Sequence, residues 1–146
     1  MKSIQEKMQT PPAPVVKRVK KRAGSNFPAG KMLIPTPKLI EEVVRQIRKG
    51  KIRTTDEIRD ELAVRYGADF TCPLTTGIFL RIVAENAEFE RAQGKKRIAP
   101  YWRVVDRDGS LKHKFPGGTS AQARHLKSEG IKVIKRGKKF LVPLVK

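Results

Sequence analysis

The chain is 146 residues long and carries 33 Lys+Arg against 14 Asp+Glu, a formal charge of +19, with 38% of its residues hydrophobic. That is room for one compact domain, and a balance so far from neutral makes an acidic polymer or an anionic surface the expected partner. There is no run of the ~18 apolar residues that a membrane span needs, no secretory leader is expected behind Lys2, and the lone Cys72 with two histidines offers neither an internal disulfide nor a usual zinc site. The expectation is a soluble intracellular monomer (cytoplasmic or nucleoid-associated, nuclear in a eukaryote) that uses no metal, cofactor or membrane.

Residues 1–30 read as a disordered basic tail and 31–146 as the folded domain. Thr10-Pro11-Pro12-Ala13-Pro14 favours extended backbone, Lys17-Arg18-Val19-Lys20-Lys21-Arg22 is a charge run, and Ala23-Gly24-Ser25-Asn26 is flexible. The tail's net charge is +6, which leaves +13 on the rest, so the folded part is basic on its own. The tail is either a solvated extension or an electrostatic arm for nucleic acid.

Thr36-Pro37 couples an N-cap to a proline in the first helical turn. Leu39, Ile40, Val43, Val44 and Ile47 then form one apolar face, closed by Gly50. Thr54 with Glu57 makes a capping box, followed by Ile58, Leu62 and Tyr66 at four-residue spacing and by Gly67. A loop over 68–73 leads to a third helix with Leu74, Ile78, Phe79, Ile82, Val83 and Phe89 as its core face, ending near Gly94. The period then shortens: 98–105 reads as a strand, Asp106-Arg107-Asp108-Gly109 as a turn and 110–115 as a return strand. Pro116-Gly117-Gly118 breaks the chain, and Thr119 or Ser120 caps a short helix ending at Glu129-Gly130. Strands over 131–135 and 138–142 flank a hairpin turn at Arg136-Gly137. Three helices followed by hairpin elements is the order of a winged helix-turn-helix, an α+β domain, and also of other α+β topologies.

Little here points to catalysis. A nucleophilic enzyme sets Cys or Ser beside a base that a third group orients. His113 lies in a turn-rich basic stretch and His125 on a polar helix; both read as surface histidines, and neither adjoins Cys72. There is no Gly-rich phosphate loop, and the acids are interspersed with bases as on solvated faces. Nucleic-acid binding has more behind it. Thr75-Thr76-Gly77 are small residues that let a helix backbone approach a groove floor, the minor groove included. The alternative for Gly77 is close helix–helix packing. Arg81, one turn on, shares that face and reaches a phosphate or base edge. Lys49, Lys51 and Arg53 surround the turn between the first two helices, and Arg103, Arg107, Lys112 and Lys114 line the strand–turn–strand, a pattern that makes affinity fall with salt. Tyr101 and Trp102, adjacent on a strand, point to opposite faces. Either both pack inside, or one offers a base-stacking surface.

Pro100-Tyr101-Trp102-Arg103-Val104-Val105, followed by Asp108-Gly109, Gly117-Gly118 and Glu129-Gly130, resembles the DNA-binding domain of alkylguanine-DNA alkyltransferases. Lys51-Ile52-Arg53-Thr54 and the span from Gly77 to Arg81 fit the same order, and the resemblance is stronger still to the non-enzymatic alkyltransferase-like proteins. It covers about residues 34–131. The resemblance implies a winged helix-turn-helix with its recognition helix in the minor groove and a pocket for a flipped alkylated guanine. It sets Tyr101 at the acceptor-cysteine position and Trp102 at the histidine position. No catalytic residue is therefore expected, since a phenol of pKa ~10 substitutes poorly for an activated thiolate. Thr55 falls where the family has a tyrosine, and Leu74 where it has an intercalating arginine; a leucine can wedge into a base step. The expected DNA contacts are Lys51, Arg53, Leu74, Thr75, Thr76, Arg81, Arg103, Gly117 and Gly118. The expected pocket is Pro100, Tyr101, Trp102 and Phe115, with double-stranded DNA and repair proteins as partners. Two alternatives stand beside this: an enzyme in which Cys72, ahead of the third helix, accepts the alkyl group, and an RNA- or ribosome-binding module on the same fold.

Overall fold

The computed structural model describes residues 2–21 and 28–144; Arg22 and the Ala23-Gly24-Ser25-Asn26 stretch lie outside them. Ser3 caps a short helix, α1 (Ile4–Met8), by accepting a hydrogen bond from the Glu6 amide at 3.1 Å. Met8 at its end is 6% exposed within the core. Val15–Val19 forms β1, which pairs antiparallel with β2 (Gly30–Ile34), Val16 opposite Leu33. The expected disordered tail is therefore corrected for residues 2–21. The β-branched Val15, Val16 and Val19 supply a strand in spite of Lys17 and Arg18 between them, and one apolar side chain anchors the helix.

The next elements follow their local signals. Thr36 accepts from the Leu39 amide at 3.1 Å and starts α2 (Pro37–Arg45), which buries Leu39, Ile40, Val43 and Val44. The helix stops at Gln46, short of Gly50. Behind β3 (Arg53–Thr54), α3 (Thr55–Arg65) opens on a complete capping box: Thr54 Oγ1 accepts from the Glu57 amide at 3.2 Å and Glu57 Oε1 from the Thr54 amide at 2.9 Å. Next, β4 (Phe70–Thr71) extends β2 in parallel, and the Thr71 hydroxyl donates to the Arg59 carbonyl at 2.8 Å, tying strand to helix. The longest helix, α4 (Pro73–Ala92), lays Leu80, Val83, Ala84 and Ala87 into the core.

The second half departs from the expected strands. Within 98–105 only β5 (Val104–Val105) is a strand, paired in parallel with β3, whereas Tyr101–Arg103 is a 3-10 turn. Pro100 lacks a donor for a ladder, and its carbonyl accepts instead from the Arg103 amide at 3.1 Å. The segment 110–115 makes a single bridge, Ser110 to Leu141, rather than a strand. Gly117, at φ 81°, caps α5 (Gly118–Ser128); neither Thr119 nor Ser120 does. β6 (Ile134–Arg136) and β7 (Lys139–Leu141) form the terminal hairpin, with its turn at Gly137-Lys138, one residue later than expected. The result is α+β: Leu33, Ile40, Leu62, Leu80, Val104 and Leu126 meet in one core beneath small peripheral sheets.

Candidate nucleic-acid interface

Leu74, Gly77, Ile78 and Arg81 recur at helical spacing along one face of α4. That face is turned outward: Leu74 is 67% exposed and Ile78 49%. This corrects their assignment to the core face. Opposite them stand Lys112, His113, Lys114 and Phe115, and the space between is a groove of about 410 Å³. A methyl group on Gly77 would meet nothing within 4 Å, so close helix packing is not the reason for this glycine. A glycine inside a helix costs about 1 kcal/mol relative to alanine. Among the described residues no packing contact at Gly77 offsets that cost.

Arg81 Nε donates to Glu85 Oε1 at 3.1 Å on the exposed surface. Such a pair contributes at most about 1 kcal/mol and is readily exchanged for a phosphate. Thr75 is half-buried, its hydroxyl directed at the Cys72 carbonyl at 3.5 Å, and it does not border the groove. Thr76 is 2% exposed and its hydroxyl donates to the Cys72 carbonyl at 2.7 Å, which removes it from the expected contact set. Cys72 itself is buried, closing access to its thiol.

The remaining expected contacts lie elsewhere. Lys51 is exposed, and Arg53 is engaged with Glu61 at 2.5 Å and the Glu57 carbonyl at 3.3 Å; neither borders the α4 groove. Arg103 is a structural residue. It forks onto Glu129 (Nε–Oε1 2.9 Å, Nη2–Oε2 2.6 Å) and donates through Nη1 to the Ile47 carbonyl at 2.6 Å. The two side chains are only 12% and 8% exposed. Burial pushes the Glu129 carboxyl up, but the Arg103 hydrogen bonds, the facing Trp102 indole and the Arg103 and Lys49 charges outweigh it and hold the group below its ordinary value. Gly117 and Gly118, at φ 81° and 70°, shape the entry to α5, and a side chain on Gly117 would run into Ala121.

The aromatic motif is interior. Tyr101 and Trp102 are 2% and 8% exposed, because the 3-10 turn, unlike a strand, lets both rings face the core. Tyr101 sits edge-on to Trp102 and to Phe115 at 5.3 and 5.2 Å, and its hydroxyl donates to Glu88 at 2.6 Å. Burial, reinforced by that carboxylate, pushes the phenol well above its ordinary value. Trp102 stacks on His125 at 4.3 Å with 17° between planes, so His125 is half-buried and not the surface histidine expected. Burial, then the Arg91 charge, lowers the imidazole's pKa; Glu88 and Glu129 pull more weakly the other way. The expected pocket does not converge. Phe115 walls the α4 groove, whereas Pro100 and Trp102 border a separate concavity with Arg45, Arg91 and Arg97.

Gln122 was not among the expected residues. It is 1% exposed; its amide donates to the Trp102 and Val104 carbonyls at 3.1 and 2.8 Å and accepts from the Lys112 amide at 2.7 Å. It thereby clamps α5 to the aromatic turn and to the loop that faces α4. A polar residue between Ala121 and Ala123 carried no periodic signal.

No protein-family model matches the chain, and no curated protein matches it. Among solved structures it is similar to S. pombe Atl1 in complex with damaged DNA containing O6-carboxymethylguanine, with TM-score 0.50 and 18% identity over 74% of this chain and 87% of that one. A structure of S. pombe ATL in complex with DNA gives TM-score 0.47 and 18% identity over 74% of this chain and 88% of that one. The chain shares its fold with an alkyltransferase-like protein.

Proposed function

We propose that this chain is a non-catalytic, duplex-DNA-binding protein of the alkyltransferase-like type that acts in alkylation repair. In this reading α3 and α4 are the helix-turn-helix, and the start of α4 enters the minor groove. The observation that carries it is Gly77: a mid-helix glycine on an exposed face, with empty space where its side chain would be. A bare backbone there lets α4 approach a groove floor closely. Leu74 and Ile78 beside it offer apolar wedges to a base step, and Arg81 with the exposed Lys114 offers charge to the flanking phosphates, Lys112 being paired with Asp106 in the groove wall. The fold likeness to Atl1, whose structure is a complex with damaged DNA, supports the same reading.

Alkyl transfer has no supporting residue at this site. Tyr101, which the family resemblance sets at the acceptor position, is buried with its proton held by Glu88. Lesion recognition therefore falls to the α4 groove, which the exposed Leu74 and Ile78 line above a largely buried Phe115. The test is titration of the full chain against matched duplexes, with and without O6-alkylguanine, at two salt concentrations. The expected result is steeply salt-dependent binding, modestly tighter on the alkylated duplex, with the protein's intact mass unchanged afterwards. Equal affinity for both duplexes would leave a nonspecific binder. A mass gain of one alkyl group would make the chain an enzyme.

A further inference from the structure

We propose that the terminal hairpin, β6–β7, is a second duplex contact that tracks the phosphate backbone beside the α4 groove. The proposal rests on the duplex-binding reading above and extends it to a surface outside the family resemblance. Residues 131–146 contain six Lys or Arg and no acid. Residues 135–139, which include the tip, are all exposed. Lys139 reaches Asp108 only at 3.8 Å with both side chains over 60% exposed, and Lys135 rests on the Phe140 ring. Arg136 and Lys138 make no ion pair among the described residues. Many of the other arginines are matched: Arg45, Arg53, Arg59, Arg65, Arg81 and Arg91 each meet a Glu or Asp. The α2, α3 and α4 arginines thus have acidic partners, whereas the hairpin tip is left bare.

The hairpin is also held in place. The Leu111 amide donates to the Phe140 carbonyl at 3.0 Å, and the Val142 amide to the Gly109 carbonyl at 2.8 Å. Gly109 adopts φ 88°, and a side chain on it would collide with the Val142 carbonyl, so the turn and the hairpin approach as closely as backbone allows. Between them lies a concavity of about 1120 Å³ walled by Arg136 and Lys138. Asp106 and His113 wall both this space and the α4 groove, so the two surfaces are continuous. A helix seated in the minor groove has a phosphate strand on either side. Cations on an attached arm then meet one strand through contacts that carry no sequence information.

The test compares Arg136→Gln/Lys138→Gln with Lys96→Gln/Arg97→Gln in the full chain. Both pairs are exposed and both remove two charges, but the second lies beyond the far end of α4, a helix ~30 Å long. Duplex affinity is measured by anisotropy across a salt series, with Arg81→Gln as a marker of the α4 groove. The hairpin variant is expected to bind roughly ten- to a hundredfold more weakly at 0.1 M salt, and its log–log salt slope to fall by about 2. Plain and alkylated duplex are expected to lose equally, and the distal variant to keep its slope. Equal slope losses in both double variants would mean diffuse attraction and overturn the proposal. An unchanged hairpin variant beside a weakened Arg81→Gln would overturn it while leaving the reading of α4 intact. Absence of salt-dependent duplex binding by the unaltered chain would overturn both, and preference for structured RNA over duplex at matched salt would assign the hairpin another polymer and overturn it as well.

Discussion

Replacing Gln122 by Leu keeps most of the side chain's bulk but strands the three groups it serves, the Trp102 and Val104 carbonyls and the Lys112 amide. Each unsatisfied buried group costs about 1–3 kcal/mol. Gln122→Leu is therefore expected to lower stability by about 2–4 kcal/mol in urea denaturation. Arg103 separates a structural role from a DNA-contact role in a similar way. Arg103→Ala leaves Glu129 buried without its partner, a change that costs about 3–5 kcal/mol. It should appear as a lower unfolding midpoint, whereas a phosphate contact would appear as lost affinity in a protein of normal stability. Neither role was visible in the order of residues. Gln122 sits between two alanines on a short helix, and the partners of Arg103 lie 26 residues ahead at Glu129 and 56 behind at Ile47.

At the scale of elements, legibility followed locality. The caps at Thr36 and Thr54 were readable because donor and acceptor lie three residues apart. The 101–105 segment was misread because two aromatics and two valines resemble a strand, while the proline that favours the 3-10 turn precedes them. Leu74 and Ile78 were assigned to the core because helical periodicity registers apolarity and is blind to whether the apolar face meets the protein or something outside it. The N-terminal segment was hidden by its charge, and its strand partner, Gly30–Ile34, is distant in sequence. Removal of residues 1–21 tests that correction. It uncovers Leu33 and the site of Met8, so unfolding should become easier by about 2–5 kcal/mol, the cost of losing one buried methionine. Calorimetry showing an unchanged midpoint would return the segment to a loose electrostatic arm.

For the whole molecule, charge and pH act through different groups. His125 is stacked on Trp102 and held neutral by burial and Arg91, with Glu88, Glu129 and Arg124 the other charges around it. Its pKa is lower in the folded chain, so the unfolded chain binds the proton first on acidification. The stabilisation is complete above about pH 6.5, the ordinary imidazole value, and declines below it by at most about 1.4 kcal/mol per pH unit. Thermal melts from pH 7.5 to 5 should show that decline, and His125→Phe should flatten it. In the proposed function binding depends on the cationic face instead, and there stability and binding are expected to conflict at Gly77. The most direct measurement pairs a thermal melt with a duplex titration of Gly77→Ala. The expected result is a protein more stable by about 0.5–1 kcal/mol that binds duplex about tenfold more weakly, a loss of about 1.4 kcal/mol. A variant that gains the stability and keeps full affinity would contradict the placement of α4 in the groove.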